Sequence, residues 1–393
     1  MSSTSRAKYG VVGCGFTGAV IANRLASLLD ERIVVMDRRP HLGGNCYTQE
    51  DPLSGVTIHT YGPHIFHTSD AAVWDFVNSF GEFRVWINRV KACTVRGVFS
   101  FPINLHTINQ FYGATFSPAE AAAFLAARRP NSVNEPRNFE ELAIATLGQD
   151  LYSTFIFGYT KKQWGCDPAS IPCSVFRRLP FRLDYDDNYY CDRYQGIPVD
   201  GYTAVIKNML SDERISVELS TTVDAGICNE FDHVFYSGPI DEFFCYSAGK
   251  LGYRGLRWKR IDASGDFQGV AVMNYPELAQ PFTRISEHKH FTPWRNHRTT
   301  VAFEEFSFEA TASSDCYYPK RLPGDLEVLA RYVELAEREP NITFIGRLGT
   351  YRYLDMNIVI ADALRLADAF CDWTRMDPRK RQAFPSFWNS SNS

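Results

Sequence analysis

The chain has 393 residues, more than one hydrophobic core usually serves, so two or three domains, or one domain with large insertions, are expected. A net charge of −4 leaves no basic excess to draw the protein onto nucleic acid or an anionic bilayer, and no window holds the roughly 18 uninterrupted apolar residues of a membrane span. Residues 1–8 lack the apolar stretch of a secretion signal and the ten cysteines stand singly, which predicts a cytoplasmic protein with reduced thiols, no disulfide frame and no metal.

In chain order, residues 9–12 form a short apolar run, 19–29 carry apolar positions at helical spacing, and 33–36 read as a second strand. This β-α-β unit encloses Gly13-Cys14-Gly15-Phe16-Thr17-Gly18, the Gly-x-Gly-x-x-Gly pattern of a dinucleotide site. Its first glycine permits a tight turn, its second lets backbone approach a pyrophosphate, and its third lets helix and strand pack closely. Phe16 and Thr17 then open a helix whose unpaired N–H groups face the phosphates. Asp37 lies at the end of the second strand, where a carboxylate accepts ribose hydroxyls. Arg38 begins an Arg-x-x-x-x-Gly-Gly segment ending in Gly43, Gly44 and Asn45, which resembles a phosphate- and flavin-contacting segment of FAD-dependent enzymes and so favours FAD over NAD, although Gly-Gly-Asn is also an ordinary turn.

Residues 85–101 and 254–306 alternate β-branched or aromatic residues with polar ones, as in an antiparallel sheet, and helices are predicted over 118–128 and 139–147. Strands at 233–236 and 342–345 return to the nucleotide fold, the second followed by Gly346 and Arg347. Asp355 and Met356 open an apolar helix to about Phe370, suited to aim its N-terminus at a flavin, and Asp355 equally suits a plain N-cap. The fold class is therefore α/β, with a discontinuous Rossmann-like FAD domain at 1–80, 211–250 and 340–375. A helical domain with a mobile lid occupies 102–180, and an antiparallel sheet domain 81–101, 181–210 and 251–339. Residues 376–393 form a tail whose last five, 389–393, are expected to be disordered. His288 and His290 lie two apart on an expected strand with no third ligand at readable spacing, which argues against a metal.

Five further segments carry a resemblance. Tyr61-Gly62-Pro63-His64-Ile65-Phe66-His67-Thr68, Gly158-Tyr159-Thr160-Lys161-Lys162-Gln163-Trp164-Gly165, Asp192-Arg193-Tyr194-Gln195-Gly196-Ile197-Pro198, Ser237-Gly238-Pro239-Ile240-Asp241 and the run from Thr283 to His290 resemble, in order, the signature segments of the UDP-galactopyranose mutase family. The resemblance implies a homodimeric flavoenzyme that uses reduced FAD to interconvert the pyranose and furanose forms of a nucleotide sugar. The resemblance further implies that the flavin N5 attacks the anomeric carbon to form a covalent adduct while the diphosphate departs, and that the product feeds cell-surface glycan synthesis. Arg284 then matches the fixed phosphate-binding arginine, Arg178 the arginine of the lid and Arg254 a further phosphate contact; arginine suits a diphosphate because it binds with paired hydrogen bonds. Tyr189, Tyr318 and Tyr353 match diphosphate-binding tyrosines, and Phe155, Tyr159, Thr160, Trp164 and Asn274 match the nucleotide pocket. Asn88, His64 and Ile65 match residues near the sugar and flavin, and His67 lies close by or is a core residue. Residues 199–203 and 166–167 depart from the usual pattern, which leaves the sugar open between UDP-galactose, UDP-N-acetylgalactosamine and dTDP-fucose. An FAD-dependent amine oxidase or desaturase would explain the N-terminal motifs alone, and a silent binding protein would be expected to lack Arg178 or Arg284.

Overall fold

The computed structural model describes residues 7–128, 135–311, 316–379 and 381–388. The expected tail 389–393 lies outside the described residues. Its centre is a five-stranded parallel sheet in the order Ile215–Leu219, Ile33–Asp37, Tyr9–Val12, His233–Tyr236, Ile342–Phe344. The inner strands are apolar almost throughout, as sheets covered on both faces require. The helix Phe16–Leu29 packs against the helix Met356–Arg375, and their buried faces join Leu25, Ile21, Ile360, Leu366 and Phe370 in one core. Its start at Phe16, three residues earlier than the apolar spacing suggests, follows from Gly15 taking the extended N-cap position.

A second, seven-stranded sheet runs Tyr318–Pro319, Tyr253–Ser264, Thr299–Glu309, Arg284–Glu287, Val272–Asn274, Val90–Thr94, Gly97–Phe101. It is antiparallel except where Val272–Asn274 runs parallel to Val90–Thr94. Tyr194–Pro198 does not join it. That strand forms a separate three-stranded sheet with Phe66–Thr68 and Phe83–Val85, tying the His64 region to the segment that carries Tyr189.

Helices Pro118–Ala126 and Phe139–Leu147 sit where the sequence placed them, each started by a side-chain cap, Ser117 and Asn138. The C-terminal region is more ordered than a tail through Trp388. Phe384 and Trp388 are buried, and at the end of the outer strand the Phe344 amide donates to the Ser386 carbonyl while the Trp388 amide donates to the Phe344 carbonyl. Among the described residues no helix is long and apolar enough to cross a membrane.

Candidate active site

Two glycine turns face each other at the end of the parallel sheet. Gly13, at φ +103°, and Gly43, at φ +100°, adopt left-handed backbone, and the Gly43 amide donates to the Cys14 carbonyl at 2.9 Å. Gly18 allows the close helix–strand contact, because a Cβ there would sit 1.9 Å from the Gly13 carbonyl oxygen. Gly15 differs: the nearest atom to an added Cβ would be 3.8 Å away, so protein packing does not explain it. Open space at a helix N-terminus fits a phosphate-bearing cofactor. Asp37 accepts from the Cys14 and Arg39 amides at 2.7 and 2.8 Å, which hold its carboxylate at the cleft wall.

Arg38 lines the cleft and pairs with Glu242 at 3.2 Å. Arg39, not singled out in the sequence, lies 4.3 Å over the Tyr61 ring and donates to Asn45, bracing the Gly43-Gly44-Asn45 turn. Arg347 and Met356 form the opposite wall, and Arg347 is anchored on the Leu354 carbonyl. Asp355 has the backbone of an N-cap but makes no capping bond. Its carboxylate is turned to Arg178.

His64 reaches the cleft from a loop fixed on three sides. Its amide donates to His59 Nδ1 at 3.0 Å, its carbonyl accepts from the Tyr202 hydroxyl at 3.1 Å, and its Nδ1 donates to the Gly62 carbonyl at 2.7 Å. Burial lowers its pKa to about 4, so the ring is neutral at physiological pH with Nε2 as an acceptor.

Beyond the cleft lies a wall of phenols and guanidinium groups. Arg284 is held by Glu305, which is 1% exposed, through bonds of 2.9 and 2.8 Å. Burial opposes its charge, yet Glu305, Tyr159 and Tyr318 together keep its pKa well above the ordinary arginine value. Burial likewise raises the Tyr159, Tyr318 and Tyr353 phenols, and Tyr189 to about 12, so all four are hydrogen-bond donors at neutral pH. Tyr318 stacks on Tyr353 at 5.2 Å, and Trp164 adjoins Tyr353 at 6.3 Å. Arg178 covers the Tyr353 ring at 4.0 Å. Asn88 is 5% exposed, its carbonyl accepts the Tyr189 amide, and its side-chain Oδ1 has no protein partner. A buried orphan acceptor beside these donors suits a bound ligand. Thr160 and Asn274 are buried close by, on the helix Gly158–Trp164 and the strand Val272–Asn274.

Other expected residues are committed elsewhere. Arg254 donates to the Lys162 and Gln163 carbonyls and pairs with Glu309 at 3.1 Å, so it closes the C-terminal end of the Gly158–Trp164 helix. Phe155 packs edge-on to Phe99 at 5.2 Å inside the helical core, and Ile65 joins a core with Trp86 and Val90. His67 Nδ1 donates to Asp192 at 2.6 Å while its ring stacks on Tyr190. The strand expected through His290 ends at Glu287, and a short 3₁₀ turn replaces it at His288–Phe291. His288 therefore turns inward, where its Nδ1 accepts from the His59 amide. His290 lies with Glu287 and Asp266, but Glu287 already accepts three backbone amides and Asp266 pairs with Lys289.

The stretch that carries Tyr159 through Tyr353 has a counterpart in known proteins. A family model described as UDP-galactopyranose mutase matches residues 154–353, and one described as an NAD(P)-binding Rossmann-like domain matches residues 11–80. A probable UDP-galactopyranose mutase of Klebsiella pneumoniae is 48% identical over 360 residues, covering 92% of this chain and 94% of the relative. The chain belongs to the UDP-galactopyranose mutase family. It is a flavin-dependent mutase, an isomerase by reaction class, with a Rossmann-like nucleotide-binding domain. The chain is also similar to a dTDP-fucopyranose mutase of Escherichia coli, 44% identical over 92% of this chain and 97% of that one. A crystal structure of reduced UDP-galactopyranose mutase shares the fold, with a TM-score of 0.75 at 16% identity over 93% of this chain and 94% of its own. Arg39, His59 and Glu305, which brace Asn45, His64 and Arg284, were not singled out in the sequence. Their partners lie 5 to 21 residues away, across turns and strands whose geometry the sequence does not display.

Proposed function

We propose that the protein interconverts UDP-galactopyranose and UDP-galactofuranose on reduced FAD. The observation that carries this is the placement of Arg284 and Arg178, on separate elements, around the same pair of phenols, Tyr189 and Tyr353, beside the His64 cleft. Gly13, Gly15, Gly18, Asp37, Arg38, Gly44, Asn45, Arg347 and Met356 would hold the FAD. When bound and reduced, the flavin supplies the nucleophile for the anomeric carbon.

The side chains do the rest. Arg284 and Arg178 stabilise negative charge on the departing diphosphate, and a well-placed donor of this kind contributes about 3 kcal/mol to a transition state. Tyr159, Tyr189, Tyr318 and Tyr353 donate to phosphate oxygens, since their protons stay on at neutral pH. Asn88 Oδ1 accepts from a sugar hydroxyl, and His64 Nε2 accepts a hydrogen bond in the cleft without carrying charge. Thr160, Asn274 and Trp164 bound the nucleotide base. Arg254 acts on this pocket through the helix it closes, and the same reading takes the enzyme to be a cytoplasmic homodimer.

The likeness to a dTDP-fucopyranose mutase supports a second substrate, dTDP-fucose. Incubating the dithionite-reduced protein with UDP-galactose, UDP-N-acetylgalactosamine or dTDP-fucose and separating furanose products by chromatography decides between them. Product from none of the three with reduced, FAD-loaded protein would refute the proposal.

A further inference from the structure

Lys162 is the next residue but one before Trp164, and its side chain leaves the substrate wall altogether. Its Nζ lies 2.6 Å from the Tyr275 carbonyl oxygen, 2.8 Å from Glu277, 2.9 Å from Gln280 and 2.8 Å from Phe282. All four oxygens belong to the loop that joins Asn274 to Arg284, and the loop is closed at its neck by the Tyr275 amide on the Thr283 carbonyl. Burial draws the Lys162 pKa down to about 8 while the Glu277 carboxylate opposes the shift, so the group is a cation at neutral pH.

Converging backbone carbonyls replace the hydration shell of a monovalent cation. Here the cation is covalently part of the neighbouring helix, which makes it a tether. Gly158, at the other end of that helix, lies so close to the loop that a Cβ would meet the Pro276 carbonyl oxygen at 2.2 Å. The outer side of the loop is fixed as well, since Glu277 accepts from the Val95 amide at 2.8 Å.

We propose that Lys162 is a positioning residue for nucleotide binding, locking the 275–283 loop, and with it Asn274 and Arg284, onto the helix that presents Tyr159 and Thr160. The inference rests on the nucleotide-sugar reading of this pocket. Arginine is not a substitute, because its planar fork does not present one compact charge to four oxygens.

The test compares Lys162→Met, Lys162→Arg and Lys162→Ala as FAD-loaded proteins. Lys162→Met and Lys162→Arg are expected to weaken UDP binding at least tenfold, with a larger rise in KM than fall in kcat and the flavin spectrum unchanged. In Lys162→Ala, added ethylammonium or potassium restores UDP affinity saturably, because the carbonyl cage accepts a free cation. Hydrogen exchange at the 275–283 amides, measured without nucleotide, speeds up in all three variants.

Wild-type UDP affinity in Lys162→Met overturns the proposal, as does a loss of affinity in Lys162→Ala that no cation restores. A native protein that binds neither UDP nor dTDP would instead overturn the nucleotide reading, and the tether would then stand or fall on the exchange measurement alone.

Discussion

Arg178 Nη2 lies 2.7 Å from Asp355 Oδ2, and Arg178 Nη1 reaches the Tyr353 carbonyl at 3.3 Å. Arg178 thus rests at the N-terminal end of the helix Met356–Arg375. Both side chains are more than one-third exposed, at 38% and 41%, and exposed pairs contribute only about 0–1 kcal/mol. A diphosphate offering two hydrogen bonds can displace such a partner. Arg178→Ala is expected to lower kcat by about a hundredfold, the effect of losing one oriented donor. Stopped-flow or steady-state turnover of the reduced enzyme checks this, and a kcat within threefold of wild type would remove Arg178 from the mechanism.

Arg284 poses a different problem, because Glu305 beneath it is almost wholly buried. Arg284→Ala strands that carboxylate, and breaking a buried pair costs about 3–5 kcal/mol of stability. Arg284→Lys keeps the charge but loses the paired geometry. The alanine variant should show a markedly lower Tm, whereas the lysine variant should retain most of its Tm and its FAD while losing most of its turnover. Equal melting of the two proteins would contradict the role given to Glu305.

Gly15 and Gly18 should fail in opposite ways. Gly15→Ala meets no protein atom within 3.8 Å, so the chain should fold, with FAD affinity reduced because the methyl occupies pyrophosphate space. Gly18→Ala drives a methyl into the Gly13 carbonyl and should yield little soluble protein. Circular dichroism and the flavin-to-protein absorbance ratio separate the cases. An FAD-replete Gly15→Ala protein would show that the phosphates lie elsewhere.

Acid should destabilise the fold earlier than its carboxylates require. Burial holds His233 and His288 near a pKa of about 3, and burial with the neighbouring His288 and His64 holds His59 well below the usual range. These folded-state values lie below the unfolded value near 6.5, so the unfolded chain binds more protons. Stability from these groups is complete above about pH 6.5 and is lost as pH falls below it. At pH 5.5 His233 and His288 each forfeit on the order of 1 kcal/mol, and His59 acts in the same direction. Thermal melts at pH 7.5 and 5.5 with saturating FAD should show this drop, and His233→Leu should lessen it. A flat Tm across that range would exclude these histidines as the cause.

The nucleotide half of the site was legible because its signals are local. Gly13, Gly15 and Gly18 have steric reasons within a few residues of one another, and the Met356–Arg375 helix declares itself by periodic apolar positions. The strand Ile215–Leu219 went unread although its apolar and polar residues alternate, whereas Tyr194–Pro198, which contains Gly196 and ends in Pro198, shows no such alternation. Arg254 shows the limit for side chains: the family resemblance implies a phosphate contact, and only the fold reveals its bonds to the Gln163 carbonyl and Glu309. His288 was misplaced because a 3₁₀ turn, stabilised by its contact with His59, interrupts the expected strand.

The parallel sheet sets a timetable for biosynthesis. Its central strand, Tyr9–Val12, leaves the ribosome first, but the outer strand Ile342–Phe344 and the helix Met356–Arg375 emerge last, and Trp388 then fastens to Phe344. The glycine turns at Gly13 and Gly43 consequently wait, with Leu25 and Ile21 uncovered, until synthesis has passed the helix Met356–Arg375. A chain released before Ile342–Phe344 is made would present an unfinished sheet edge to chaperones and proteases rather than a completed cleft.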